Sequence, residues 1–142
     1  MGAILVHYHE VGLKGRNRPL FIGRLARNLA EATRGLGVRR IEKLTGRLLA
    51  VLEPWADRAR ILERVGSVFG VANYSLARRL PLDAGAIREA GAELLAPKTF
   101  RTFRVETRRA FKGLPIRSQD LDREVGSYIQ ARRHIPVDLT AP

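Results

Sequence analysis

The sequence predicts an α/β fold of the α+β kind. A ferredoxin-like βαββαβ unit spans residues 1–80, and a second, truncated α/β unit follows over 81–142. Three observations predict it. Apolar, β-rich runs and segments of helical periodicity follow one another in the order βαββαβ. Pro81 interrupts that pattern, and helix and strand signals then restart. The restarted pattern reaches an incoming strand at Pro136-Val137-Asp138-Leu139-Thr140 and stops two residues later, so the second unit reads as unfinished.

Ala3-Ile4-Leu5-Val6-His7-Tyr8 is a central strand by composition. Pro19 suits a first helical turn, where its missing N–H costs nothing. Ile22, Leu25, Ala26, Leu29 and Ala32 then recur at helical spacing, with Arg24, Arg27, Asn28, Glu31 and Arg34 on the remaining surface. Gly35 and Gly37 offer a stop. Strands over 38–44 and 47–52 flank Thr45-Gly46, and Pro54 ends the second. Asp57 is an N-cap for a short helix carrying Ile61, Leu62 and Val65, and strand character resumes over 68–76.

Beyond Pro81 a helix over 84–95 buries Ile87, Ala90, Leu94 and Leu95. Residues 100–108 alternate as a strand with a polar rim, and Lys112-Gly113-Leu114-Pro115 turns the chain. Ser118 caps a helix beginning near Gln119, with Asp120 in its first turn and Leu121, Val125, Tyr128 and Ile129 along its apolar stripe.

Charge is the main functional signal. The 142 residues hold 26 Lys and Arg against 14 Asp and Glu, a net charge of +12 that points to a polyanion, with nucleic acid as the leading candidate. The excess concentrates in the first unit: residues 1–80 hold 15 cations and 6 anions, residues 81–142 hold 11 and 8. With no cysteine, thiolate nucleophiles, persulfide chemistry on a protein thiol and thiolate metal sites are excluded within this chain. The absence fits a cytoplasmic protein. No apolar stretch reaches transmembrane length and no signal peptide precedes the first strand, so no membrane partner is expected.

Two basic clusters stand out. The first follows the opening strand as His9-Glu10-Val11-Gly12-Leu13-Lys14-Gly15-Arg16-Asn17-Arg18-Pro19. Two glycines make its backbone permissive, while Lys14, Arg16, Arg18 and Asn17 supply donors to phosphate; a plain solvated loop has the same composition. The second comprises Arg101, Arg104, Arg108, Arg109, Lys112 and Arg117, with Phe111 placed either to stack on a base or to pack beneath the turn. His7 and His9 share a strand face that could meet a metal, although ordinary strand side chains explain them as well. Gly12-Leu13-Lys14-Gly15 is too short for a nucleotide-binding P-loop, and no catalytic triad or metalloprotease motif appears.

With these residues in view the chain resembles the N-terminal part of the tRNA 4-thiouridine synthetases, or tRNA sulfurtransferases. The resemblance rests on Ile4-Leu5-Val6-His7-Tyr8-His9-Glu10-Val11-Gly12-Leu13-Lys14-Gly15-Arg16-Asn17-Arg18 and Val68-Phe69-Gly70-Val71. It continues through Lys98-Thr99-Phe100, Phe103-Arg104-Val105, Arg108-Arg109, Phe111-Lys112, residues 118–128 and Val137-Asp138-Leu139. His9 departs from the glycine common in that family. The resemblance implies a complete ferredoxin-like domain and a partial THUMP RNA-binding domain.

A catalytic PP-loop domain, which uses ATP and magnesium, is implied for the whole enzyme and is absent from this chain. That enzyme activates uridine 8 of tRNA as an adenylate and accepts persulfide sulfur from a desulfurase; some members support thiamine biosynthesis. No catalytic, cofactor or metal residue is therefore expected here. Lys14, Arg16, Asn17, Arg18, Arg24 and Arg27 are expected to bind tRNA, and Arg108, Arg109, Lys112 and Arg117 to extend that surface near its acceptor end. The alternative is a structural or protein-interaction module without specific RNA binding. An unpaired sheet edge would suit it to a homodimer.

Overall fold

The computed structural model describes residues 2–9, 15, 17–108 and 116–142. Two compact units divide at Arg79/Leu80. In the first, β1 (Gly2–Tyr8), α1 (Asn17–Ala32), β2 (Val38–Leu44), β3 (Arg47–Leu52), α2 (Arg58–Gly66) and β4 (Val71–Arg78) follow in the predicted order. The strands form one antiparallel sheet in the order β2-β3-β1-β4.

The period-2 geometry of a strand decides which residues are covered. Ile4, Val6 and Tyr8 of β1 and Leu48, Ala50 and Leu52 of β3 face the helices, where Leu25, Leu29, Ile61 and Val65 complete the core. The opposite sheet face carries a smaller cluster of Ala3, Leu49 and Val51.

Local chemistry sets the element ends. Thr33 hydroxyl donates to Leu29 carbonyl at 2.7 Å as α1 closes. Gly37 follows with φ +104°, and a Cβ there would lie 2.6 Å from Ala56 Cα, so no other residue fits without moving backbone. Asp57 caps α2 by accepting from Arg60 N–H at 3.2 Å. The fourth strand begins at Val71 rather than at Val68, because residues 68–71 form a turn closed by Val71 N–H to Val68 carbonyl at 3.3 Å.

The second unit holds α3 (Ala84–Leu95) and α4 (Ser118–Arg133) around a core of Phe103, Leu121, Val125 and Ile129. Three expectations are corrected here. Leu94 lies on the exposed side of α3, 39% accessible, while Ala90 is the buried residue. The Ser118 side chain does not cap α4: Ser118 is the first helical residue, and the N-cap is Arg117, whose side chain has no acceptor to offer.

The third correction concerns residues 100–108, which form no strand. They make a single parallel bridge, Phe103 to Val137. Phe103 N–H donates to Pro136 carbonyl at 3.3 Å, and Asp138 N–H donates to Phe103 carbonyl at 2.9 Å. The ladder cannot grow, because Pro136 has no N–H and the chain turns away beyond Asp138. Asp138 Oδ1 accepts from Thr140 N–H at 2.8 Å and Ala141 N–H at 3.0 Å. Those two bonds, Ala141 first, hold the Asp138 carboxyl below its ordinary pKa.

Candidate nucleic-acid interface

The topology gathers the ends of several elements at one edge of the first unit. Because β1 and β2 run against β3 and β4, the end of β1, the Thr45-Gly46 turn and the start of β4 lie at the same end of the sheet. His9 is exposed there, and its N–H donates to Gly70 carbonyl at 3.1 Å. Helix α1 opens at Asn17, which is exposed, and its first turn holds no acidic residue. Its positive dipole end is therefore uncompensated from within that turn. Arg18 is partly buried rather than fully exposed, and Lys14 and Arg16 lie outside the described residues.

Along α1, burial of Leu25 and Leu29 forces Arg24 and Arg27 to the opposite, solvent side. They line a shallow groove of about 560 Å³ with Asn28, Glu31 and Arg34. Arg34 pairs with Glu31 within it, whereas Arg24 and Arg27 have no carboxylate partner among the described residues. A neighbouring groove of about 450 Å³ shares Arg27 and brings in Lys43 from β2. Lys43 Nζ stands 3.8 Å from where a Gly23 Cβ would sit, so β2 adds a cation to the helix face. Sequence reading missed Lys43, since only the pairing of β2 beside β3 places it against α1. Its signal was a lysine in an edge strand.

Three other cations of this unit are already engaged. Arg79 Nη1 donates to Glu42 Oε1 at 3.1 Å, and Arg40 Nε donates to the same oxygen at 2.8 Å. Arg39 pairs with Glu53 at 3.2 Å. The bonds from Arg79 and then Arg40 hold the Glu42 carboxyl down to about 2, against an ordinary 4.5, and Glu42 in turn raises Arg79. A folded-state pKa lowered in this way stabilises the fold fully above pH 4.5, and the contribution fades as pH falls toward 2. Glu42→Gln is therefore expected to flatten the fall in melting temperature across that window. An NMR titration of the Glu42 carboxyl carbon checks the midpoint directly.

In the second unit the cations divide the same way. Arg108, expected to bind RNA, is exposed and pairs with Glu106 at 3.1 Å; such open pairs are weak and exchange readily for phosphate. Arg117 is exposed at the start of α4. Arg109 and Lys112, with Phe111, fall outside the described residues. Arg133 is structural: it donates to Leu95 carbonyl at 2.6 Å and Lys98 carbonyl at 2.8 Å, and sits 5.1 Å from the Phe100 ring centre. Arg88 and Arg132 flank the Tyr128 ring at 5.2 and 5.0 Å.

Among the described residues no group of three or more His, Cys, Asp or Glu could hold a metal, and no helix is long and apolar enough to cross a membrane. The arrangement suits binding of phosphate by open cations.

Comparison with known proteins agrees with this layout. Residues 3–75 match the ThiI ferredoxin-like domain family, and residues 83–142 match the THUMP domain family. A probable tRNA sulfurtransferase of Moorella thermoacetica is 35% identical over 127 residues, covering 89% of this chain and 32% of that protein. Its counterpart in Alkaliphilus metalliredigens is 34% identical over 144 residues, covering 98% and 36%. A crystal structure of a 4-thiouridine synthetase–RNA complex with bound ATP superposes with a TM-score of 0.85 at 25% identity, over 100% of this chain and 36% of that one. The chain thus spans about a third of the length of these relatives.

Proposed function

The chain belongs to the ThiI ferredoxin-like domain family, and from that premise we propose that it is the tRNA-recognition portion of a tRNA 4-thiouridine synthetase. The observation that carries the reading is the pairing of two domain matches along the chain with Arg24 and Arg27 on α1, which have no carboxylate partner among the described residues. Arg24, Arg27 and Lys43, together with Lys14, Arg16 and Asn17, hold the phosphate backbone. Arg108, Arg109, Lys112 and Arg117 make the second unit's contribution, toward the acceptor end of the tRNA. None of these residues acts on uridine; they position it.

The whole protein then thiolates uridine 8. ATP with magnesium supplies the activation chemistry, outside the residues of this chain. With no cysteine here, the sulfur delivered by a desulfurase as persulfide is received elsewhere in the protein. A cytoplasmic setting, and a share in thiamine biosynthesis, accompany this reading.

Fluorescence-anisotropy titrations with intact tRNA at increasing salt test it. Affinity is expected to fall linearly in log–log form, by about 0.9 in slope for each phosphate neutralised on duplex RNA-like backbone. Absence of binding at low salt overturns the reading and favours the protein-interaction module. Light scattering on the same samples shows whether a homodimer forms.

A further inference from the structure

Phe69 is the most exposed large apolar side chain among the described residues, at 92% accessibility. Its backbone is nevertheless fixed on both sides. Val68 packs against the core and its N–H donates to Val65 carbonyl at 3.2 Å. Gly70 has φ +99°, as position three of a type II turn requires, and a Cβ there would lie 2.9 Å from Phe21 Cζ of α1. The His9 N–H closes the far side on Gly70 carbonyl. Val-Phe-Gly-Val is thus a built turn that leaves the Phe69 ring exposed.

The surroundings say what the ring is for. The turn shares one end of the sheet with His9, with the exposed start of α1 at Asn17, and with Arg47. Arg47 pairs in register with His7 and has no carboxylate partner among the described residues. One described cation and the donors of His9 and Asn17 therefore share this end of the sheet with the ring. Ser67, Ala72 and Asn73 beside it in the chain are exposed and small or polar, so the ring does not continue into an apolar run along its own segment. A single planar ring amid phosphate-binding groups matches a planar ligand with a charged backbone.

We propose that Phe69 is a stacking platform for one unpaired RNA base, whose phosphates are held by the adjoining end of the sheet and of α1. This rests on the RNA-recognition reading and adds to it a preference for unpaired over fully duplexed RNA. Stacking of this kind tolerates any base and adds no charge, so it changes affinity without changing the salt slope.

The test compares the wild-type chain with Phe69→Ala, Phe69→Leu and Phe69→Trp. Each is titrated against a blunt RNA hairpin and the same hairpin carrying a short single-stranded 3′ extension. Phe69→Ala is expected to bind the extended hairpin about tenfold more weakly, with the blunt hairpin, the salt slope and the melting temperature nearly unchanged. Phe69→Trp restores binding and Phe69→Leu does not. In a Trp55→Phe background, the new tryptophan emission is quenched by the extended hairpin.

Wild-type affinity in Phe69→Ala overturns the stacking proposal alone. So does rescue by leucine, which would make the ring a plain apolar anchor. Equal weakening on both hairpins overturns the preference for an unpaired base. Failure of the wild-type chain to bind either RNA overturns the recognition reading and this proposal with it.

Discussion

Leu29→Ala is expected to lower the unfolding free energy of the first unit by about 2–5 kcal/mol, with a clear fall in its melting temperature. Leu29 is 1% exposed and shares its core with Ile4, Val6, Leu25 and Leu48. Truncation removes the transfer energy of the side chain and leaves a cavity that the sheet on one side and α2 on the other are too well packed to close. The same helix supplies the control. Asn28 is exposed, and Asn28→Ala is expected to change stability by no more than about 0.5 kcal/mol. Urea unfolding followed by circular dichroism distinguishes the two. A Leu29→Ala midpoint equal to that of wild type would mean that α1 does not pack on the sheet as described.

That core was legible in the sequence because burial imposes a period. Leu25 and Leu29 recur at helical spacing, and β1 and β3 read as strands because these two central strands bury apolar side chains on both of their faces. The bounds of β2 and β3 follow from Gly46, a positive-φ residue between two β-rich runs, and those of α3 from its helical period.

What failed was what depends on partners outside the segment. Residues 100–108 alternate like a strand, but a strand needs a neighbour with donors, and Pro136 and the Asp138 turn withhold them. Ser118 has the chemistry of a cap, yet the cap position fell one residue earlier, where the extended Arg117 joins the helix. The candidate interface divided similarly. Exposure of Arg24 and Arg27 was implied by their helix, while Lys43 and Phe69 were hidden, since each gains its meaning from elements distant in sequence. The Val-Phe-Gly-Val segment reads as strand if only its apolarity is weighed. Read for the glycine, it is a turn that lifts the phenylalanine outward.

Replacing Lys14, Arg16, Arg24 and Arg27 together with alanine is expected to weaken tRNA binding on the order of a hundredfold at low salt. The log–log salt slope should fall by up to about 0.9 for each phosphate that is no longer neutralised. Net charge alone could produce part of this effect, so the control must remove the same charge from elsewhere. Arg39, Arg40, Arg79 and Arg88 are already held by Glu53, Glu42 and Glu124, away from the α1 groove. Replacing those four also takes the chain from +12 to a charge lower by four, and weakens the long-range field that steers encounter. It takes little from the bound complex, because those guanidiniums are occupied before RNA arrives. The paired set should therefore slow association while leaving the salt slope near wild type, and the open set should change both. If the two sets lower affinity and slope equally, attraction is a property of total charge, and no surface on α1 has been selected for RNA.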